Sequence, residues 1–244
     1  MTSQRRIRKS IGLVALLLAG MLAAGCEPPP KPYGTEAQLY VPGKRRMIWA
    51  VAPAVDLSGE RQVDPLLQAD LVYQQLQEVH GVTAIPVNRV VEVYASLRID
   101  KVESQAQADL VCDLLGCDGL VVPTVTAYDP YDPPKFGASL QLFRKPAVYA
   151  RPVQVDPREL ARSASPRSDA PAEKPADSMV QVVGMYDAAN GTTREAVFHY
   201  ALGRNDPVGP YGEKEYLVSM DRYCGFAYHE LIADLLQAMV PRGS

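Results

Sequence analysis

The chain has 244 residues, of which 47% are hydrophobic and 21 are proline, so it can form a packed core but carries more prolines than one compact domain needs. Its formal net charge is −3, and the residues after Gly25 include 21 basic and 28 acidic side chains, a net charge of −7. This acidic balance excludes the basic surface that nucleic-acid backbones require, so no nucleic-acid partner is expected.

Residues 1–25 have the layout of a secretory signal peptide. MTSQRRIRKS is basic, IGLVALLLAGMLA is apolar and uncharged, and AG is small. The alternative is an ordinary N-terminal membrane anchor, but the apolar run is short for a bilayer core of about 30 Å. The three prolines of Pro28–Pro30 also stop a helix directly after the run.

Residues 26–44 are rich in proline and lack periodicity, which predicts an extended tether. Residues 45–144 then alternate short apolar runs with segments of helical periodicity, the first part of an α/β domain. The predicted strands are 47–52, 82–87, 120–128 and 138–143. The predicted helices are 66–79, ended by Gly81; 88–97, capped by Asn88; and 104–115, ended by Gly116.

Residues 145–178 are dense in proline, small residues and charges, which predicts a disordered insertion. The domain is completed by 179–240, followed by a tail at 241–244. A strand is predicted over 179–186, and then either a helix to Leu202 opened by a Thr192–Glu195 capping box or a hairpin at Asn190-Gly191. One long amphipathic helix is predicted from Lys214 to Val240.

The pattern predicts an α/β fold with a mixed, partly parallel sheet of four to five strands, helices packed against it and a long C-terminal helix. Pro86 and Pro123 fall inside strand patterns. Because proline cannot donate to a sheet ladder, both are expected at edges, strand starts or bulges.

Three cysteines, Cys112, Cys117 and Cys224, follow Cys26. Cys112 and Cys117 flank a predicted helix end at Gly116, where a chain reversal would allow a disulfide. Two alternatives remain open: a Cys₃His zinc set completed by Cys224 and His229, and buried structural thiols.

Motifs for catalysis and cofactor binding are missing from the sequence. It contains no glycine-rich phosphate loop, no G-x-S-x-G elbow and no H-E-x-x-H pair, and its three histidines lie in separate segments. No enzymatic activity, cofactor or metal is therefore expected.

The connection after the third strand is the best candidate binding surface. It is stiffened by prolines and offers carboxylates and aromatics to a peptide, a glycan strand or Ca²⁺. The competing interpretation is a rigid hairpin whose aromatics fold onto the core. The candidate residues are Tyr128, Asp129, Tyr131, Asp132, Lys135 and Phe136.

Ala23-Ala24-Gly25-Cys26 resembles the lipobox of bacterial lipoproteins, with Ala23 where that family most often has leucine. The resemblance implies cleavage after Gly25 and lipidation of Cys26 by a diacylglyceryl group and an N-acyl chain such as palmitate. It also implies a periplasm-facing membrane anchor. Glu27 favours the outer over the inner membrane.

A second resemblance covers about residues 45–145 and rests on VDLSG at 55–59 and LGCDGLVV at 115–122. These stretches are similar to the small α/β domain of three envelope proteins. They are the Tol translocation protein, the curli-secretion lipoprotein and the lipoprotein activator of a penicillin-binding protein. Pro123 departs from the glycine often found in that class. The resemblance implies fold more than function.

Together these features predict a lipid-anchored, non-enzymatic adaptor that binds an envelope protein or peptidoglycan. The alternative is an oligomeric secretion-channel component like the curli-secretion lipoprotein. Its barrel requires long alternating hairpins, which the prolines of 145–178 oppose. A hydrolase with a dispersed site is the least favoured interpretation.

Overall fold

A computed structural model of the protein describes residues 38–43, 46–145, 179–206 and 208–240. All of them belong to one compact unit spanning Gly34–Ser244. The fold is α/β, with a mixed six-stranded sheet packed with helices and a C-terminal helix, so the predicted fold class is confirmed. Cys26, the tether to residue 37 and the insertion from residue 146 lie outside the described residues.

The strands, numbered in chain order, are β1 (Met47–Val51), β2 (Val55–Asp56), β3 (Val82–Ile85), β4 (Gly119–Asp129), β5 (Lys135–Arg144) and β6 (Met179–Asp187). The helices are α1 (Pro65–Gln77), α2 (Val87–Leu97), α3 (Gln105–Leu115), α4 (Gly191–Ala201), α5 (Glu215–Val218) and α6 (Met220–Ala238). A 3-10 turn at Gly212–Lys214 precedes α5.

The sheet has two halves that differ in strand direction. Its order is β3-β1-β4-β5-β6, and β2 pairs with β4 on the same side as β1. Strands β1 to β4 form a parallel half, whose crossovers contain α1, α2 and α3. β5 and β6 pair antiparallel and form the antiparallel half.

Each face of the sheet carries its own hydrophobic cluster. The large-core face, which includes Val121, Phe136 and Leu140, packs against α1, α4 and α6. The small-core face, which includes Leu120 and Val122, packs against α2 and α3. Alternation along β4 and β5 assigns neighbouring residues to opposite faces.

Pro123 lies in the central strand β4, so the prediction of an edge, a strand start or a bulge is wrong for this residue. The carbonyls of Val121 and Val125 accept hydrogen bonds from Ala52 and Leu57. Pro123 is two residues from each of Val121 and Val125, so its nitrogen points to the same side of β4. At that position the segment between β1 and β2 is not paired with β4. The missing N–H therefore interrupts no ladder.

Two predicted helix ends near β3 differ from the structure. α1 ends at Gln77, and Gly81 instead occupies the turn before β3 with φ of +93°. α2 already begins at Val87 after Pro86, so Asn88 lies within the first turn and does not cap it. Proline suits this position because its fixed φ leads into a helix and the N–H it lacks would have had no intrahelical partner.

The C-terminal third forms helices, but with different ends. At α4 the Asn190 side chain accepts a hydrogen bond from the Thr192 N–H at 2.9 Å, so Asn190 is the cap and the predicted Thr192–Glu195 box is wrong. The predicted single helix over 214–240 is interrupted at Ser219, whose backbone is extended between α5 and α6. No helix in the described ranges is long and apolar enough to cross a membrane.

Candidate functional site

The loop between β4 and β5, residues 130–134, is fixed at both of its ends. The Asp129 carboxylate accepts a hydrogen bond from the Tyr131 N–H at 3.1 Å. At the other end the Pro134 carbonyl accepts one from the Ala188 N–H at 3.0 Å. These bonds tie the loop to itself and to the turn after β6, so its exposed side chains project from a supported backbone.

Three of the predicted binding residues point to solvent. Tyr131 is 73% exposed, and Asp129 and Asp132 are also exposed. Lys135 is partly exposed, and its ammonium lies 3.4 Å from the carboxylate of Asp187. The loop surface therefore combines an aromatic ring with two carboxylates outside that ion pair.

Phe136 is a core residue, so its prediction as part of the binding loop is wrong. Its side chain is fully buried on the large-core face. Its ring meets Tyr128 edge-on with 6.3 Å between centroids and Tyr228 with 5.3 Å. The alternation of β5 turns Phe136 toward α6, whereas its neighbour Lys135 reaches the surface.

Tyr128 lies between the core and the loop. The pairing of β4 with β5 shifts its register between Val125 and Ala127, which turns Tyr128 toward the large-core face. Burial raises the pKa of Tyr128 to about 12, and the negative charge of Asp221 adds to this effect. The phenol therefore stays protonated at neutral pH and can donate a hydrogen bond at the edge of the loop.

This combination of groups is suited to binding. A rigid exposed tyrosine gives a large contact area at low entropic cost, and flanking carboxylates favour a partner with cationic or amide groups. Within the described residues, no group of three or more histidine, cysteine or acidic side chains is placed to hold a metal ion. The Ca²⁺ interpretation of the loop therefore has no cluster of ligands to support it.

The histidines lie on three different elements. The His80 ring stacks on Tyr40 with 4.9 Å between centroids. His199 is exposed on α4. His229 is buried on α6 beside Tyr200, and burial together with the charge of Arg204 lowers its pKa to about 4.

The cysteines do not assemble into the Cys₃His set. Cys112 and Cys117 are buried in the small-core cluster, whereas Cys224 is buried in the large-core cluster on the opposite face of the sheet. His229 lies on α6, the same helix as Cys224. All three described cysteines are free thiols, and the four residues cannot converge on one ion across the sheet.

β6 exposes an apolar strip that the sequence analysis did not predict. Met179, Val183 and Met185 are 45%, 67% and 57% exposed, and they share the side of β6 that faces away from α6. The signal was present in MVQVVGMY, where residues of both parities are apolar, although a strand with one solvated face normally alternates.

No protein-family model matches this sequence, and no curated protein matches it. Solved structures similar to the chain include the LpoB C-terminal domain from Escherichia coli, at 9% identity and TM-score 0.33 over 41% of this chain and 72% of that one. A lipoprotein from Neisseria meningitidis is similar at 17% identity and TM-score 0.33, over 40% and 69% of the two chains. A PelC dodecamer from Paraburkholderia phytofirmans is similar at 9% identity and TM-score 0.36, over 80% and 93%.

Proposed function

We propose that this protein is a lipid-anchored envelope lipoprotein that acts as a non-enzymatic adaptor and binds another envelope protein or peptidoglycan through the β4–β5 loop. The observation that carries the binding role is Tyr131, which is largely exposed on a loop fixed at both ends. Binding through such a loop loses little conformational entropy, and tyrosine is enriched among the residues that dominate interface energies.

The membrane anchor is supported by the sequence around Cys26. Ala23-Ala24-Gly25-Cys26 follows a basic and then an apolar segment, as in lipoprotein signals. Several acyl chains on one residue hold a protein firmly, because each buried methylene contributes about 0.8 kcal/mol. Glu27 supports the outer membrane as the destination.

Replacing Cys26 by serine tests the anchor. We expect the variant to leave the membrane fraction and to lose incorporation of labelled fatty acid, because the thioether that carries the lipid cannot form. Full-length protein with Cys112→Ser is the matched control, since it removes a cysteine but leaves the lipobox intact. Continued acyl labelling of the Cys26→Ser protein would refute the anchor.

Site-specific photo-crosslinking in cells tests the binding surface. A photo-crosslinking phenylalanine analogue is placed at Tyr131 or, as a control, at Tyr211, which is 57% exposed on a different part of the fold. We expect a discrete crosslinked product from position 131 alone. We also expect the combined Asp129→Asn and Asp132→Asn changes to weaken it, because they remove the negative charge of both exposed carboxylates, while the asparagine side-chain oxygen at position 129 can still accept from the Tyr131 N–H. Equal products from both positions, or none from 131, would refute the loop as the binding surface.

A second candidate function, an oligomeric secretion-channel component, is favoured by β6. In the described part of the chain β6 is the last strand of the sheet, its pairing with β5 is unbroken over nine residues and Met179 to Tyr186 contain no charge or proline. Strand edges of this kind readily pair with other chains. The mass of the detergent-extracted protein, measured by light scattering, distinguishes the candidates: a large closed homo-oligomer supports the channel, and a monomer supports the adaptor.

A further inference from the structure

The C-terminal end of α3 brings two cysteine side chains together. Gly116 has φ of +68°, a left-handed conformation that glycine adopts without strain, and it reverses the chain. The N–H groups of Gly116 and Cys117 both donate to the carbonyl of Cys112, the latter at 3.0 Å. In this type of helix end, the side chain that follows the glycine packs on the side chain four residues before the glycine. Here those two positions are Cys117 and Cys112.

The two thiols form a hydrogen-bonded pair. Both residues are buried, and their sulfurs are close enough to share a side-chain hydrogen bond. This hydrogen bond, together with a backbone N–H from Gly119, lowers the pKa of Cys117, and the same bond and burial raise the pKa of Cys112. The Lys145 ammonium, which pairs with Asp113, adds positive charge near both sulfurs. Cys117 is therefore the better nucleophile of the pair.

We propose that Cys112 and Cys117 are a redox pair that closes to a disulfide across the turn at Gly116. The oxidant is a disulfide of the thiol–disulfide oxidoreductase class or of glutathione. When the helix end opens locally to solvent, the Cys117 thiolate attacks one sulfur of that disulfide, which releases the first thiolate and forms a mixed disulfide. The Cys112 thiol then gives up its proton and attacks the Cys117 sulfur, which releases the second thiolate. Two electrons pass from the cysteine pair to the oxidant, and two protons are released to it or to water.

Cys224 takes no part in this chemistry. It lies in the cluster on the opposite face of the sheet, away from both other cysteines, and the side chain of Gln68 is its hydrogen-bond partner. The chain therefore contains its own internal control, a thiol that remains reduced while the other two react.

A redox titration of the full-length protein tests the proposal. Cys26→Ser protein is reduced, freed of reductant, equilibrated with mixtures of reduced and oxidised glutathione, quenched with acid, unfolded and labelled on its free thiols. We expect three labels at the reducing end and one at the oxidising end, with both labels lost in a single two-electron transition. The peptide containing residues 112–117 should then be lighter by two hydrogens, and Cys224 should stay labelled.

Variants make the result specific. Cys224→Ser should keep the same transition with two labels falling to none, and Cys112→Ser or Cys117→Ser should abolish it. Three labels at every glutathione ratio, or separate glutathione adducts on Cys112 and Cys117, would overturn the proposal.

The inference depends on the proposed envelope location only for the state of the pair in cells. The titration uses purified protein and tests the pair itself. If the pair closes in the titration but wild-type protein from cells carries both thiols reduced, that result counts against the oxidising envelope location and leaves the redox pair standing.

Discussion

The two faces of the sheet are covered to different extents. On the large-core face, α1, α4 and α6 enclose residues from both halves of the sheet, including Leu140 on β5 and, partly buried, Val182 on β6. On the small-core face, the cluster under α2 and α3 reaches β5 only at Phe143 and includes no described residue of β6. The aromatic core residues thus lie mainly on the large-core face, and part of the small-core face stays exposed and available for contact.

The open part of the small-core face is packed only by its own side chains. Met185 lies over Gly137, where a Cβ atom would come within 2.8 Å of the methionine Cε and 2.9 Å of the Thr126 hydroxyl. Glycine leaves room there for the flexible end of Met185, so side chains of neighbouring strands supply the cover that a helix supplies elsewhere. Methionine suits such a surface because its flexible side chain adapts to different partners.

Phe136→Ala should have the largest effect on stability. The ring is fully buried on the large-core face between Tyr128 and Tyr228, and removal of such a ring costs about 3–5 kcal/mol of unfolding free energy. Urea denaturation measures the loss. Tyr131→Ala, in the loop before β5 but exposed, is the matched control and should stay within about 0.5 kcal/mol. Similar losses in both variants would contradict the division between core and surface.

Leu120→Ala should cost less. Leu120 is fully buried under α2 and α3, and large-to-small changes of leucine cost about 2–5 kcal/mol. We expect a loss of about 2 kcal/mol, because the side chains of the smaller cluster on this face can relax into the space that the leucine leaves. Leu140→Ala, at an equally buried position on the large-core face, is the comparison. A greater loss for Leu120→Ala would show that the small-core face is the more rigid one.

His229 should make the large-core face sensitive to acid. Its pKa is about 4 in the folded protein and 6.5 without burial, so the unfolded chain binds a proton more readily between these pH values. Protonation of His229 should therefore leave the unfolding free energy unchanged above about pH 6.5. It should lower that free energy by up to about 3 kcal/mol as the pH decreases toward 4.

Denaturation at pH 7.5 and 4.5 measures this effect by comparing His229→Gln with wild type. The variant should show a smaller decrease between the two pH values, because it has no proton to bind there. His199→Gln, which changes an exposed histidine on α4, is the control and should keep the wild-type dependence. An unchanged pH dependence in His229→Gln would show that the buried imidazole does not carry this effect.

Val183→Lys should have the smallest effect on folding. The side chain is 67% exposed on the open part of β6, so the unfolding free energy should change by about 0.5 kcal/mol or less. A charge on this edge should nevertheless reduce any self-association, which sedimentation or light scattering would detect. A loss of more than 2 kcal/mol would mean that the strip is covered in the folded protein.

Local chemistry was sufficient to predict much of the fold. Gly116 ends α3 as predicted, and the helix begins beside Ser104, whose side chain caps it by accepting a hydrogen bond from the Gln107 N–H. All five predicted strands exist, and the meeting of Cys112 with Cys117 follows from the same helix end. These features depend on groups within a few residues of one another.

The candidate site was predictable only in part. Tyr131, Asp129 and Asp132 are exposed as expected for a proline-stiffened loop, but Phe136 is not. Exposure of a strand residue depends on which face a helix covers, and α6, about 90 residues later in the chain, decides that for Phe136. The apolar strip on β6 was missed for the same reason.

The sequence by itself determined the alternation of strands and helices, the caps of α3 and the mildly acidic, histidine-poor composition, because these follow from residue types and short-range backbone bonding. Only the tertiary structure decided that Pro123 lies in the central strand, that the last helix breaks at Ser219 and that the two pairs Cys112–Cys117 and Cys224–His229 lie on opposite faces. Each of those outcomes depends on contacts between segments that are distant in the chain, and no local pattern records them.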